Sequence, residues 1–387
     1  MAWVRDLQHN PDLLSPAQAA LVARVDAAGL GRQRVVDGEL FYWDEAPATS
    51  SSASSLDEAE RTLAALAERP ATVGDLEAAL TDYVAVVRAY VEIVRPAIRA
   101  ALAALSEAPA EVRGEESRLL AGVGVESCRR DQSLWELGQH PSAERLAQHQ
   151  AAFGMYAPAW DVGVACDAER PDRVLAMAAL WQPRMAPERR RQQACDDAAE
   201  ALAVLPAAAR SPVLLARRAL ALADADDAIF FAAQQRARAA YLASGRHAEL
   251  ILPQRPLPSS KGQPLSSLRG IGWGRAEGRV VIVEALDRLP TELPADAVLV
   301  LTAFLPSHSF LLAVARAVVV ETGGLLSHAA IVAREYGVPH LVGCAGATRL
   351  PPGASVIVDG DAGRLVVRAG STGAPAASPP PSSDDTP

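Results

Sequence analysis

The sequence predicts a multidomain α plus α/β protein, with an N-terminal all-α helical domain followed by a small domain of mixed strands and helices. Three observations predict it. Through the first 250 residues apolar side chains recur at three- and four-residue spacing, the period of a helix with one buried face. A Pro-rich stretch, "LPQRPLPSSKGQPLSS", then breaks the pattern, as an interdomain linker does. Beyond it the apolar residues gather into short β-branched runs bounded by Gly, Pro or Asp, which read as strands. The 387 residues leave room for two or three domains. The expected division is a helical domain over 1–250, a linker over 251–267, an α/β domain over 268–368 and a disordered tail over 369–387, whose Pro/Ser/Ala composition buries too little apolar surface to order itself.

Each element has its own signal. In "DLEAALTDYVAVVRAYVEIV" (75–94), Leu76, Leu80, Tyr83, Val84, Val87, Tyr90, Val91 and Val94 share one helical face. Pro96 is expected to end or kink that helix. "APERRRQQACDDAAEALAVL" (186–205) predicts a second helix, and 212–245 a single long one that stops at Gly245. After the linker, "RVVIV" (279–283), "AVLVL" (297–301), "AVVVE" (317–321), "SVIVD" (355–359) and "RLVV" (364–367) predict strands, with helices near 307–316 and 328–336 between them.

Composition excludes several classes of function. The formal charge is −9, against a duplex-binding surface, which needs clustered Lys and Arg to displace counterions from phosphate. Arginine supplies nearly all the positive charge; Lys261 is the sole lysine. Cys128, Cys166, Cys195 and Cys344 are scattered without a CxxC pair or a metal-ligand spacing, so reduced thiols in a cytoplasm are expected and no metal site. No apolar run reaches the roughly 18 residues of a membrane span.

The stretch with the most chemistry is "ETGGLLSHAAIVAREYGVPHLVG" (321–343). Gly323 and Gly324 permit a tight turn and close approach of another molecule. Ser327 is a good N-cap, which puts His328 in the first turn of the helix "HAAIVAREY". Gly337 and Pro339 then stop it. Free N–H groups and the positive end of the helix dipole favour an anion on that imidazole and disfavour a proton. A neutral imidazole accepting a phosphoryl group fits such a position.

The same stretch, "TGGLLSHAAIVAREYGVP", resembles the phosphohistidine signature of the PEP-utilising enzymes: pyruvate phosphate dikinase, PEP synthase and the rifampin phosphotransferases. It departs in that Thr322 directly abuts the Gly-Gly pair. The resemblance implies that His328 carries a phosphoryl group, and that Thr322, Gly323, Gly324, Ser327 and Arg334 shape and position the phosphate loop. It also implies a β/β/α swivelling domain that carries the phosphohistidine between active sites. His308 in "LPSHSFLLAVARA" and His340 after Gly-Val-Pro depart from the family pattern. The first reads as a surface loop residue, the second as packing or surface.

The helical region loosely resembles the acceptor-binding domain of rifampin phosphotransferase-type proteins, in "GVGVESCRRDQSLWELGQ" (122–139), "FGMYAPAWDVGVACDAERPDRVLAM" (153–177) and the acidic and Arg-bearing "ADADDAIFFAAQQRARAAYLASG" (223–245). Met155-Tyr156 stands where that family has a His-Arg pair. Arg129, Arg130, Asp131, Trp160 and Asp161 are the candidate acceptor-site residues; each of the charged ones also reads as an ordinary surface charge. No GxxxxGK[ST] loop is present. The resemblance therefore implies that ATP and Mg²⁺ bind a separate ATP-grasp partner, with no cofactor on this chain, and that a small molecule accepts the phosphoryl group. Neither nucleic acid nor membrane is expected as a partner. The alternative is a phosphohistidine carrier or regulatory protein read by other proteins.

Overall fold

In the computed structural model, residues 1–2, 7–11, 31–32, 44–52, 71–73, 107–111, 113–114, 182–184, 254–268, 271–273, 291, 324–327 and 369–387 lie outside the described residues. The expected linker and tail, and Gly324 and Ser327 of the histidine turn, fall almost wholly or wholly in these gaps. No described helix is long and apolar enough to cross a membrane.

The first 250 residues are rich in helix but not all-α. Strands β1 (Trp3–Arg5), β2 (Gln33–Val36) and β3 (Glu39–Trp43) form an antiparallel sheet in the order β1-β3-β2, with helix α1 (Pro16–Ala27) between the first two. This corrects the all-α expectation. Asp37 and Gly38 both take positive φ at the β2–β3 turn, 51° and 81°, the conformation that a two-residue hairpin needs.

Helices α2 (Ala53–Ala67), α3 (Leu76–Ala89), α4 (Arg95–Ser106), α5 (Glu116–Leu119), α6 (Val125–Gln139), α7 (Ala143–Phe153), α8 (Pro171–Ala179), α9 (Pro187–Val204) and α10 (Ala207–Ala243) follow. Near Pro96 the helical run is interrupted, not ended. A π-turn over Tyr90–Val94 joins α3 to α4, and the Arg95 N–H reaches back to the Tyr90 carbonyl. Widening the helix by one residue just before a proline relieves the clash and lost hydrogen bond it imposes on a regular turn. The long helix α10 stops before Gly245, which takes a φ of 74°.

The C-terminal part holds a seven-stranded mixed sheet, made of β4 (Arg269–Gly270), β5 (Arg275–Ile282), β6 (Ala297–Leu301), β7 (Ala317–Val320), β8 (His340–Val342), β9 (Ser355–Asp359) and β10 (Arg364–Val367), with helices α11 (Ser309–Val314) and α12 (His328–Tyr336). Its order is β10-β9-β5-β6-β7-β8-β4, with β5 to β8 parallel and the outer strands antiparallel. The buried runs of β6 and β7 are apolar on both faces, as parallel strands covered on both sides require. Helix α12 is the crossover from β7 to β8, so its first residue lies beyond the C-terminal end of a parallel strand. That is where open α/β sheets place their ligands.

The sheet and the helices share one core. Leu134 and Leu137 of α6 and Val174, Met177 and Trp181 of the α8 region pack with Leu299, Leu301, Phe310, Ala330 and Tyr336. Ile331 of α12 joins the core formed by α2, α4 and α10. Trp181 is fully buried at this junction. Trp181→Ala is expected to cost about 3–5 kcal/mol and to lower the cooperativity of urea unfolding, because the cavity opens where the two parts meet. A single transition of unchanged midpoint would contradict the shared core.

Candidate functional site

His328 opens α12, and its side chain is held by the helical part. Asp227 Oδ2 lies 2.8 Å from His328 Nδ1, a short ion-pair contact rather than an aligned hydrogen bond. On the other edge of the ring, Ser127 Oγ lies 3.2 Å from Nε2. The Ser127 hydroxyl donates to Asp224 Oδ1. Asp224 and Asp227 sit three residues apart on α10 and so share a face. Asp224 Oδ2 also accepts the Glu126 and Ser127 amides, at 2.7 and 3.3 Å, in the first turn of α6. One carboxylate thus caps a helix and orients the serine facing the histidine. The histidine's partners come from the part it docks against.

Charge around the ring runs opposite to the dipole expectation. Burial works against a proton on His328, but Asp227, Asp224 and Asp131 together raise its pKa above the ordinary histidine value. The acids around the ring therefore favour its protonated form more than an ordinary histidine's surroundings do, where the helix terminus alone favours the neutral form. Burial raises Asp224, and raises Asp226 well above the usual carboxylate range with help from Asp227 and Asp224.

The linkage has a definite sign. A histidine raised on docking gives stabilisation that is complete below its free value near 6.5 and is lost as pH rises through the docked value. Docking is therefore expected to weaken above neutral pH. An NMR titration of the His328 ring in the intact chain checks this; a pKa below about 6.5 would contradict the acid-lined contact.

Two further contacts fix α12 against α6. The Glu335 carboxylate accepts the amides of Gly122, Val123 and Gly124 at 2.9, 2.8 and 2.9 Å, free N–H groups at a helix start. A Cβ on Gly124 would lie 2.9 Å from Glu335 Cγ, and Gly122 takes a φ of 77°, so glycine is required at both. Burial pushes the Glu335 carboxyl up to about 7 against those three amides. Glu335→Ala leaves three amide donors, those of Val123 and Gly124 buried, without their acceptor and is expected to destabilise the chain by about 3 kcal/mol; chemical denaturation measures it, and a change under about 1 kcal/mol, one ordinary hydrogen bond, would contradict the latch. The second contact is Asp131, which accepts Ser309 Oγ and Tyr336 Oη at 2.7 Å each.

The sequence-predicted residues fall in different places. Thr322 N–H and Oγ1 both donate to the Thr302 carbonyl, and Gly323 takes a φ of 104°. Arg334 is buried, with Nη1 donating to the Ala330 carbonyl. Arg129 is exposed and paired with Glu126. Arg130 and Asp131 are completely buried, not surface charges; Arg130 bonds Asp167 and lies over the Tyr156 ring. Trp160 stacks on Phe231 at 4.2 Å. Asp161 accepts the Ser15 amide and hydroxyl at the start of α1. Of the acceptor candidates, Asp131 reaches the histidine's electrostatic surroundings. Among the described residues, the polar contacts of His328 are Ser127 and Asp227, which sequence reading did not single out. His308, expected at the surface, is buried and accepts the Leu305 amide on Nδ1; burial lowers its pKa to about 3. His340 is buried in the sheet, as packing. Among the described residues no three His, Cys, Asp or Glu side chains come together as metal ligands.

Residues 293–363 match the family described as PEP-utilising enzyme, mobile domain. Related proteins align over the C-terminal region. The chain is 42% identical over 79 residues to rifampicin phosphotransferase of Streptomyces sviceus, covering 20% of this chain and 9% of that one. It is 40% identical over 98 residues to phosphoenolpyruvate synthase of Aeropyrum pernix, 25% of this chain and 12% of that one. It is also 41% identical over 109 residues to chondramide synthase of Chondromyces crocatus, 28% of this chain and 3% of that one. The chain spans 3% to 15% of the length of such relatives. Rifampicin phosphotransferase and phosphoenolpyruvate synthase are both among the relatives that share this region.

Proposed function

We propose that this chain is the phosphohistidine-carrying subunit of a dikinase-like phosphotransferase, which takes a phosphoryl group on His328 and passes it to a small-molecule hydroxyl. One observation carries the reading: the first residue of the β7–β8 crossover helix, inside a mobile-domain match, is held between Asp227 and a Ser127–Asp224 pair. Asp227 beside Nδ1 keeps a proton on that nitrogen and leaves Nε2 to bear the phosphoryl group. ATP and Mg²⁺ are assigned to a separate ATP-grasp partner.

On discharge the Nε2–P bond breaks and a bond from phosphorus to the acceptor oxygen forms. The acceptor's proton passes to a carboxylate, for which Asp224 is placed: it already takes the hydroxyl proton of Ser127 in a hydrogen bond. Nδ1–H, beside Asp227, stays in place, so the leaving group is a neutral imidazole. Helices α6 and α10 form the acceptor's side of this cleft.

The test is to phosphorylate the chain, add fractionated metabolite extract, and follow loss of the acid-labile label together with gain of a phosphorylated small molecule. Discharge to water alone, with every fraction, would overturn the acceptor reading. The isolated chain is expected neither to bind nor to hydrolyse ATP; micromolar binding by the purified protein would contradict the assignment of nucleotide to a partner.

A further inference from the structure

We infer that Ser127 is a second acceptor for the phosphoryl group of His328, and that the chain converts its own phosphohistidine into phosphoserine when no small-molecule hydroxyl is supplied. The inference rests on the phosphocarrier reading and adds to it a modification site on α6. Three observations carry it.

The first is the direction of the serine oxygen. A hydroxyl has one proton and two lone pairs. The Ser127 proton is committed to Asp224 Oδ1, so what Oγ presents to His328 Nε2, 3.2 Å away, is a lone pair. That is the side of the oxygen that attacks phosphorus. The serine is held in this pose, because its amide bonds the other oxygen of the same carboxylate at 3.3 Å. The Glu126 amide, 2.7 Å from that oxygen, fixes the carboxylate in turn.

The second is distance. Reacting atoms in a near-attack arrangement lie about 3–3.5 Å apart. A phosphorus at the place that Nε2 now occupies would stand 3.2 Å from Oγ, with the ring one P–N bond further back. The charged histidine therefore reaches the serine from inside the same α6–α10 cleft in which it meets Asp224. The third observation is the place of the product. Ser127 is in the first turn of the fifteen-residue helix α6, where the helix dipole favours a phosphate's negative charge.

In this step the Nε2–P bond breaks and a bond from phosphorus to Ser127 Oγ forms. The serine proton passes to Asp224, which already accepts it in a hydrogen bond. The electron pair of the broken bond returns to Nε2, leaving a neutral imidazole whose proton stays on Nδ1 beside Asp227. A phosphoryl–imidazole bond has a higher transfer potential than a serine ester, so the step runs towards serine. A small-molecule hydroxyl placed beside Asp224 competes with Ser127 for the same phosphorus and the same base. Without it, the ester forms and fills the acceptor's place.

The test charges the full chain with radiolabelled phosphoramidate, removes the reagent, and follows the label with time by acid treatment and peptide sequencing. In the wild type the acid-labile label on His328 is expected to fall while an acid-stable label on the Ser127 peptide rises by most of that loss. His328→Ala is expected to gain no label on Ser127, and Ser127→Ala to release its label as inorganic phosphate alone. Asp224→Asn is expected to slow the conversion by at least about 10²-fold; circular dichroism checks that all three variants are folded. An acid-labile label that passes from His328 to inorganic phosphate, with none reaching Ser127 in the wild type, would overturn the inference and leave the carrier reading standing. Equal acid-stable label on Ser127 in the wild type and His328→Ala would overturn transfer between the two residues. A wild-type chain that takes no label on His328 would overturn the carrier reading and the inference with it.

Discussion

His328→Ala is expected to abolish the acid-labile phosphoryl label and all phosphotransfer by the assembled system, while leaving the fold intact. The side chain lies at the start of α12, and the core contacts of that helix come from Ala329 to Tyr336, so truncation removes the nucleophile without opening the main core. Phosphoryl–imidazole bonds hydrolyse in acid and survive in base, whereas phosphoserine survives acid. A label retained in His328→Ala would move the site elsewhere, with Ser127 the first alternative because its hydroxyl lies 3.2 Å from Nε2. The variant also loses the charge contact with Asp227, so its docking is expected to be weaker and less dependent on pH than that of the wild type.

The second large effect concerns discharge. Asp224→Ala is expected to slow transfer from phosphorylated His328 to the acceptor by about 10²–10⁴-fold, the range for loss of a general base, with charging of His328 nearly unchanged. In the proposed scheme charging takes place on the partner, away from Asp224, and discharge beside it. Asp224→Asn separates the two roles of this residue. An amide can still accept from the Glu126 and Ser127 N–H groups but cannot take a proton, so α6 stays capped while discharge is lost. Stopped-time assays of label on the protein and on the acceptor measure both steps. Equal discharge rates in wild type and Asp224→Asn would remove Asp224 from the chemistry and leave it as a helix cap.

The parts of the fold that were legible in the sequence are those whose signal is local. "AVLVL" and "SVIVD" became strands with the expected bounds, and the helix from His328 to Tyr336 did as well, because turn residues flank each. The edge strand at 269–270 and the strand at 340–342 carry too few residues for any period; pairing across the sheet, not local preference, makes them strands. The N-terminal sheet left a trace in Asp37-Gly38, a hairpin dipeptide between "QRVV" and "ELFYW", but its strands are short and the surrounding helical pattern outweighed it. Pro96 marks an interruption of the α-helix, but that a single π-turn absorbs it is not visible in the sequence.

The candidate site was legible on one side only. The glycine turn and helix start single out His328 by themselves. Its partners lie about one hundred and two hundred residues earlier in the chain, and each has an unremarkable local appearance. Ser127 reads as a residue near a helix start, and Asp224 and Asp227 as the polar positions of a long helix. Only the docking of α12 between α6 and α10 turns a cap and two helix acids into the surroundings of an imidazole. The same docking explains why Arg130 and Asp131, which look like surface charges in "SCRRDQ", are buried. Asp131 receives Ser309 and Tyr336 from the C-terminal part, and Arg130 is enclosed beneath them.

The central claim is that His328 carries phosphate. The most direct measurement is tandem mass spectrometry of the chain recovered from its own cells under alkaline conditions, with the modified peptide sequenced before any acid step. The account predicts a phosphoryl group on the peptide that contains His328, located on the histidine and lost after brief acid treatment. Phosphate found on Ser127 or Ser327 and stable to acid, with His328 unmodified under every growth condition, would contradict it.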